Sequence, residues 1–168
     1  MDFMGKVVVI TGGGGGIGKA AARRFLDGGA QVVLSGTRRA LLEAARDELD
    51  PTGERVAIHA GQVTTREQAH ALVDAAVERF GGVDVLVNST GIFRIVPFLE
   101  QTEEQVEEAL DSILRPTFYG SQAAARAMVE GGAGGAIVNV GSMCSSTAPG
   151  SSALHRFSSR PRSSSRKP

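Results

Sequence analysis

The feature that most constrains this chain is a run of five consecutive glycines, Gly12 to Gly16, set between a β-branched apolar stretch and a helix-like one. Lys6-Val7-Val8-Val9-Ile10 has the uninterrupted apolar character of a strand buried on both faces. Thr11-Gly12-Gly13-Gly14-Gly15-Gly16-Ile17-Gly18 forms the turn, and Gly16 to Asp27 reads as a helix ended by Gly28-Gly29, where glycine suits the left-handed position. Strand, glycine turn and helix in that order present backbone N–H groups at a helix N-terminus with no Cβ in front of them, as a phosphate group requires. The alternative is a flexible glycine turn without a ligand. Placement directly between a buried strand and a helix favours the phosphate site.

The alternation continues along the chain. Gln31 to Ser35 is the second expected strand, Arg39 to Leu49 an amphipathic helix stopped by Asp50-Pro51, and Arg55 to Ala60 the third strand. Thr65 with Gln68 forms a capping box that opens a helix to Phe80, closed by Gly81-Gly82, and Val83 to Asn88 is the fourth strand. Thr102 with Gln105 marks another helix start, followed by a helix over Asp111 to Glu130 that Pro116 should kink or delay. Ala136 to Val140 is the fifth strand. Such β–α alternation implies an α/β fold, a three-layer doubly wound parallel sheet of Rossmann type. From Ser142 the periodicity stops, so the expected division is a binding domain over 1–153 and a disordered basic Ser/Arg/Pro tail over 154–168.

Composition excludes several classes. No apolar run approaches the roughly 20 residues of a membrane span, and the N-terminus runs straight into the first strand without a secretory pattern. The single cysteine, Cys144, allows no internal disulfide; a cytoplasmic protein is expected, with no membrane partner and no metal site. Net charge is zero but uneven: all five cations after Glu130 stand without an acid, leaving the preceding body acidic. That balance argues against a nucleic-acid-binding domain, although the tail's Ser-Arg pairs could meet an acidic surface.

The turn has the spacing Thr-Gly-x-x-x-Gly-Ile-Gly, which resembles the short-chain dehydrogenase/reductase family. Asn88-Ser89-Thr90-Gly91 resembles that family's Asn-Asn-Ala-Gly segment, and Ile137-Val138-Asn139-Val140-Gly141-Ser142 the strand leading to its catalytic serine. The resemblance covers Lys6 to about Ala153, with the motifs in order and at the right distances. It implies a dinucleotide held by Thr11, Gly12, Gly14, Gly15, Gly16, Ile17, Gly18, Thr37, Arg38, Gln62, Val63, Asn88 and Gly91. An acid ending the second strand would favour NAD, whereas an arginine there accommodates a 2′-phosphate. Here Leu34-Ser35-Gly36-Thr37-Arg38-Arg39 has two arginines and no acid, so NADP(H) is favoured over NAD(H). Arg38 and Arg39 as mere solvated residues opening a helix are the plainer reading. Gln62 stands where the family has an aspartate near the adenine.

The resemblance also implies hydride transfer between the nicotinamide and a small-molecule carbonyl or secondary alcohol, with a tyrosine, lysine, serine and asparagine moving or holding protons. Ser142 matches the serine. Where the tyrosine is expected stand Leu154 and His155, where the lysine Ser158 and Ser159, and where the asparagine Ile113. Tyr119, the only tyrosine, lies in the preceding helix. His155 is a weak substitute acid, shorter than tyrosine and without the lysine. Activity is therefore expected to be impaired, and a non-catalytic dinucleotide-binding protein or subunit is the alternative.

Further expectations concern the rest of the family pattern. The fold should be incomplete at its C-terminal end, leaving the fifth strand as an apolar edge. Homo-oligomers would form through the 111–130 helix. Leu154-His155-Arg156-Phe157 can be encoded CTA CAC CGC TTC, which read one base later gives Tyr-Thr-Ala-Ser, so a shift of reading frame near codon 154 would account for the basic tail.

Overall fold

In the computed structural model the described residues are 2–142 except 93 and 95. They form β1 (Val7–Thr11), α1 (Gly16–Asp27), β2 (Gln31–Gly36), α2 (Arg39–Leu49), β3 (Val56–Ala60), α3 (Arg66–Phe80), β4 (Val85–Asn88), α4 (Glu103–Ala109), α5 (Arg115–Glu130) and β5 (Ala136–Asn139). A 3-10 turn at Phe98–Glu100 precedes α4, and a π-helical turn at Leu110–Leu114 joins α4 to α5. Cys144, Leu154, His155, Ser158, Ser159 and the basic tail lie outside the described residues.

The five strands are parallel and lie in the order β3-β2-β1-β4-β5. Alternate residues of each strand face opposite layers. On one face Val8, Ile10, Val32 and Leu34 pack with Ala22 and Leu26 of α1 and Leu42 and Ala45 of α2. On the other, Val7, Val9, Val33 and Leu86 meet Leu72, Val73 and Ala76 of α3 and Ala123, Ala124 and Met128 of α5. The three-layer doubly wound sheet is thus present, and β1 sits at its centre with both faces sealed.

The expected helices α1 and α2 begin and end at the stated residues, and Thr65–Gln68 and Thr102–Gln105 are reciprocal capping boxes. Four details differ from the expectation. The left-handed residue after α1 is Gly29 (φ +88°), while Gly28 has φ −85°. β4 starts at Val85 because Asp84 spends its carboxylate on the Val7 N–H (2.9 Å) and the Lys6 ammonium (2.8 Å), and Val83 packs into the core beside α3. β1 shifts by one residue at both ends and β2, β3 and β5 each by one residue at one end, as strand ends do. The expected helix over 111–130 begins as the π-helical turn, and its α-helical part starts at Arg115. Pro116, within the first turn of α5, has no N–H to continue the ladder from α4; the wider turn absorbs the missing donor. Thr117 adds a side-chain bond, its hydroxyl donating to the Ile113 carbonyl at 2.6 Å.

β5 pairs only with β4 among the described residues, and all four of its residues are exposed. Ile137, Val138 and Val140 present apolar surface there.

Candidate functional site

The order β2-β1-β4 makes β1 a switch point: the chain leaves it toward β2 on one side and returns to pair with it as β4 on the other. In open parallel sheets ligands bind in the crevice outside the carboxyl ends of the strands at such a point. A cavity of about 750 Å³ lies there. Thr11, Gly12, Gly14, Gly15, Thr37, Arg38, Gln62, Val63 and Gly91 line it, so nine of the thirteen cofactor positions named from sequence are brought together. Gly16, Ile17, Gly18 and Asn88 do not line it. Ile17 is mostly exposed at the start of α1.

The floor of the cavity is built by close backbone approach. Gly12 has φ +69°, and a Cβ there would fall 2.5 Å from the Ser89 carbonyl oxygen. A Cβ on Gly18 would fall 2.4 Å from the Gly12 carbonyl oxygen, so the turn folds onto α1 only with glycine at both positions. The Gly13 N–H donates to the Ser35 carbonyl at 3.0 Å and the Gly15 N–H to the Gly12 carbonyl at 3.0 Å, which holds the loop to β2 and to itself. The first N–H groups of α1 have no partner within the helix, and its first turn carries no acid to neutralise its positive end. This is a cradle of the shape and polarity that a pyrophosphate fits.

Two sequence-named side chains turn out to tie the walls together. The Thr11 hydroxyl donates to the Val87 carbonyl at 3.4 Å and accepts from the Ser89 N–H at 3.2 Å. Asn88 is 4% exposed; its amide donates to Ser121 Oγ (3.1 Å) on α5 and to Asn139 Oδ1 (2.8 Å) on β5. Asn88 thus fixes the end of β4 against both neighbours beneath the cavity.

At the β2 side, Thr37 and Arg38 are exposed at the cavity rim. Arg39 is paired with Glu43 at 3.7 Å, one turn along α2, whereas Arg38 makes no ion pair among the described residues. Gly36, where an acid would favour NAD, carries no charge. At the β4 side, Glu108, Asp111 and Ser112 form part of the wall, and hydrogen bonding to Arg94 (2.7 Å at both oxygens) holds the Glu108 carboxyl below its usual range. Ile113 is buried in the π-helical turn, and a Cβ on Gly91 would lie 3.4 Å from its Cγ1. Ser142 follows β5 by three residues and is half-buried.

Sequence reasoning missed Ser35, Leu41, Leu42, Glu108, Asp111 and Ser112 as cavity residues. Leu41 and Leu42 carry an ordinary amphipathic signal, and nothing local distinguishes them from core. The acids and Ser112 belong to α4 and the π-helical turn, which comes close to Gly91 just beyond β4 through Ile113.

The short chain dehydrogenase family matches residues 6–154. Among curated relatives, the chain is 34% identical over 140 residues to 3beta-hydroxysteroid dehydrogenase 2 of Eggerthella lenta, covering 83% of this chain and 54% of that protein. It is 38% identical over 148 residues to L-rhamnose 1-dehydrogenase (NAD(P)(+)) of Azotobacter vinelandii, covering 85% and 57% respectively. Among solved structures, a short-chain type dehydrogenase/reductase from Mycobacterium marinum superposes with a TM-score of 0.88 at 31% identity, covering 94% of this chain and 65% of that one. The chain therefore spans little more than half the length of the curated relatives it matches. Fold and glycine turn are those of the Rossmann class. The chain belongs to the short chain dehydrogenase family. No helix among the described residues is long and apolar enough to cross a membrane.

Proposed function

We propose that residues 1–153 are the dinucleotide-binding part of an NADP(H)-dependent oxidoreductase that moves hydride between the nicotinamide and a small carbonyl or secondary alcohol. The observation that carries this reading is the glycine cradle at the β1 switch point, opening onto a cavity whose β2 rim holds Arg38, which makes no ion pair among the described residues, beside uncharged Gly36. The turn and the first N–H groups of α1 would hold the pyrophosphate, Thr37 and Arg38 the 2′-phosphate, and Gln62 and Val63 the adenine. A bound nicotinamide would supply the hydride chemistry; the chain supplies binding and orientation. Support for a dinucleotide also comes from a solved neighbour described as NAD+-bound xylitol dehydrogenase, which matches with a TM-score of 0.88 at 29% identity.

Catalysis in this chain is proposed to be weak or absent. Ser142 stands at the serine position, but buried Ile113 stands where the family places an asparagine and offers no polar side chain. The same observation favours a second reading, a non-catalytic dinucleotide-binding protein or subunit. Self-association is proposed through the π-helical turn and α5, along which Leu114, Phe118 and Val129 are exposed.

Titration of the purified chain with NADPH and with NADH, followed by cofactor fluorescence, tests the binding reading. A charge-assisted contact to the 2′-phosphate contributes about 1.5–3 kcal/mol, so NADPH should bind about 10- to 100-fold tighter. Equal affinities would remove the NADP(H) preference, and binding of neither would remove the site. Turnover on a panel of ketones, aldoses and ketosteroids separates the two readings: measurable oxidation of NADPH supports an enzyme, binding without oxidation the non-catalytic protein.

A further inference from the structure

A dinucleotide is two nucleotides joined through a pyrophosphate, and a sheet of this class offers one half of itself to each, on either side of the switch point. The cavity does not serve the two evenly. From Gly14 and Gly15 of the turn it runs to Thr37 and Arg38 after β2 and to Gln62 after β3, and it ends at Gly91, Glu108 and Asp111. Among the described residues none of β5 lines it, and neither do Ile17, Asn88 and Ser142. On that side the surface is open: Ile17 is 65% exposed, and every residue of β5 is exposed. A small molecule draws its affinity from the part of it that a cleft encloses. The cavity encloses one nucleotide of the two.

Charge tells which one. Among the described residues Arg38 is the one cation in the lining, and it makes no ion pair. The acids on the β4 side are already matched, Glu108 by Arg94 and Asp111 by Arg115, and neither arginine lines the cavity. Phosphates are therefore welcome at two places only, the glycine turn with the N-terminus of α1, whose first turn carries no acid, and the Arg38 rim. Of the two halves of NADP(H), the adenosine half alone carries a phosphate besides the pyrophosphate. We propose that the cavity is a self-sufficient site for the 2′-phosphoadenosine 5′-diphosphate unit. The chain draws its affinity for NADPH from that unit, and nucleotides of this class bind equally well without a nicotinamide. This rests on the cofactor-site reading above and extends it to a class of ligand that no hydride-transfer reaction would use.

The test titrates the full chain by isothermal calorimetry with NADPH, 2′-phosphoadenosine 5′-diphosphate, ADP and nicotinamide mononucleotide. The first two should bind within about threefold of each other. ADP, which lacks the 2′-phosphate, should bind about 10- to 100-fold more weakly, the value of one charge-assisted contact. Nicotinamide mononucleotide should not bind. Arg38 is exposed, so Arg38→Ala leaves the core as it is; it should weaken the first two ligands by one common factor and leave ADP unchanged. NADPH binding about tenfold or more tightly than 2′-phosphoadenosine 5′-diphosphate, or binding of nicotinamide mononucleotide on its own, would show that the second half is held too and would overturn the proposal. ADP binding as tightly as its 2′-phosphorylated form would overturn the ligand class while leaving a dinucleotide site in place. If the chain binds none of the four, the cofactor-site reading itself fails, and the proposal with it.

Discussion

Two glycines two residues apart on α1 are expected to respond in opposite ways to the same substitution. Gly16 is the first residue of α1, and a Cβ there meets no atom within 4 Å. In Gly16→Ala the unfolded chain loses freedom and the helix gains a better former, for about 0.5–1 kcal/mol of added stability. For a domain of this size that is about 1–4 °C in Tm. The new methyl, however, stands at the α1 N-terminus beside Gly15 of the cavity lining, though Gly16 is not itself in that lining, and the proposed pyrophosphate would approach there. Displacing one charge-assisted contact costs about 1.5–3 kcal/mol, or about 10- to 100-fold in NADPH affinity. In Gly18→Ala the methyl falls 2.4 Å from the Gly12 carbonyl oxygen and 2.9 Å from the Gly12 carbonyl carbon and Gly13 Cα. Those are backbone atoms of the turn itself and cannot rotate away, so the fold must open by a few tenths of an ångström or more. Overpacking of this kind costs about 1–3 kcal/mol or more, a large share of a total of about 5–15 kcal/mol. Thermal melts by circular dichroism and NADPH titration of both variants check the pair. A Gly16→Ala variant that binds NADPH as the parent does would refute the placement of the pyrophosphate at α1. A Gly18→Ala variant as stable as the parent would refute the packing argument.

Other outcomes follow from single contacts. Gly36→Asp fits without strain, since its Cβ would meet only Leu42 Cδ2 at 3.6 Å, and it sets a carboxylate beside the Thr37–Arg38 rim; the NADPH-to-NADH affinity ratio should fall at least about tenfold, and an unchanged ratio would place the 2′ contact elsewhere. Asp50 is 5% exposed and accepts from the Thr52 hydroxyl (2.7 Å) and the N–H groups of Arg55 (2.7 Å) and Val56 (2.9 Å). Asp50→Ala strands two N–H groups and should cost about 2–5 kcal/mol by denaturant titration, with Asp50→Asn much milder. Burial pushes the Asp50 carboxyl up, but those three hydrogen bonds and the charge of Arg55 outweigh it, so the folded pKa lies below the ordinary carboxylate value. Its contribution is therefore full above that ordinary value, near 4, and is lost as pH falls through the lower folded one, a loss that stability measured against pH should not show in Asp50→Asn. Val138→Lys on the exposed strand β5 should reduce self-association seen by light scattering while leaving NADPH affinity unchanged; equal association in both chains would acquit the strand edge.

The sequence carries the layer architecture because its punctuation is chemical. Gly28-Gly29 and Asp50-Pro51 stop helices for backbone reasons, and Thr65–Gln68 and Thr102–Gln105 start them by satisfying orphan N–H groups, so these boundaries needed no tertiary information. Strand order is different. That β1 lies between β2 and β4 follows from how the helices cross over the sheet, and Val9 and Val87 carry no local mark of it. The π-helical turn was legible only as the disturbance that Pro116 must cause; nothing local in Leu110–Leu114 marks how the backbone takes it up. Within the site, the glycines announce themselves because backbone approach excludes other residues. Ser35 does not, because a lone serine in an apolar strand carries no mark of the cavity it will line.

The cradle and the catalytic positions occupy different parts of the chain, and this has a physical consequence. The residues that shape the phosphate turn and the β2 rim belong to β1, α1, β2, α2 or the segments after β3 and β4, and β1, α1, β2 and α2 are packed into the two core clusters. The positions that resemble a proton-handling set begin at buried Ile113; Ser142 follows β5, and the others fall outside the described residues. Ile113 is buried in the π-helical turn, is not part of the cavity lining, and takes no part in the hydrogen bonds that hold Gly13 to Ser35 or Ser89 to Thr11. On the proposed reading, binding energy for the dinucleotide and the groups that would lower a reaction barrier are separable in this chain. Loss of the second would then leave the first in place, which is why NADPH affinity is the quantity that tests the proposed cofactor site.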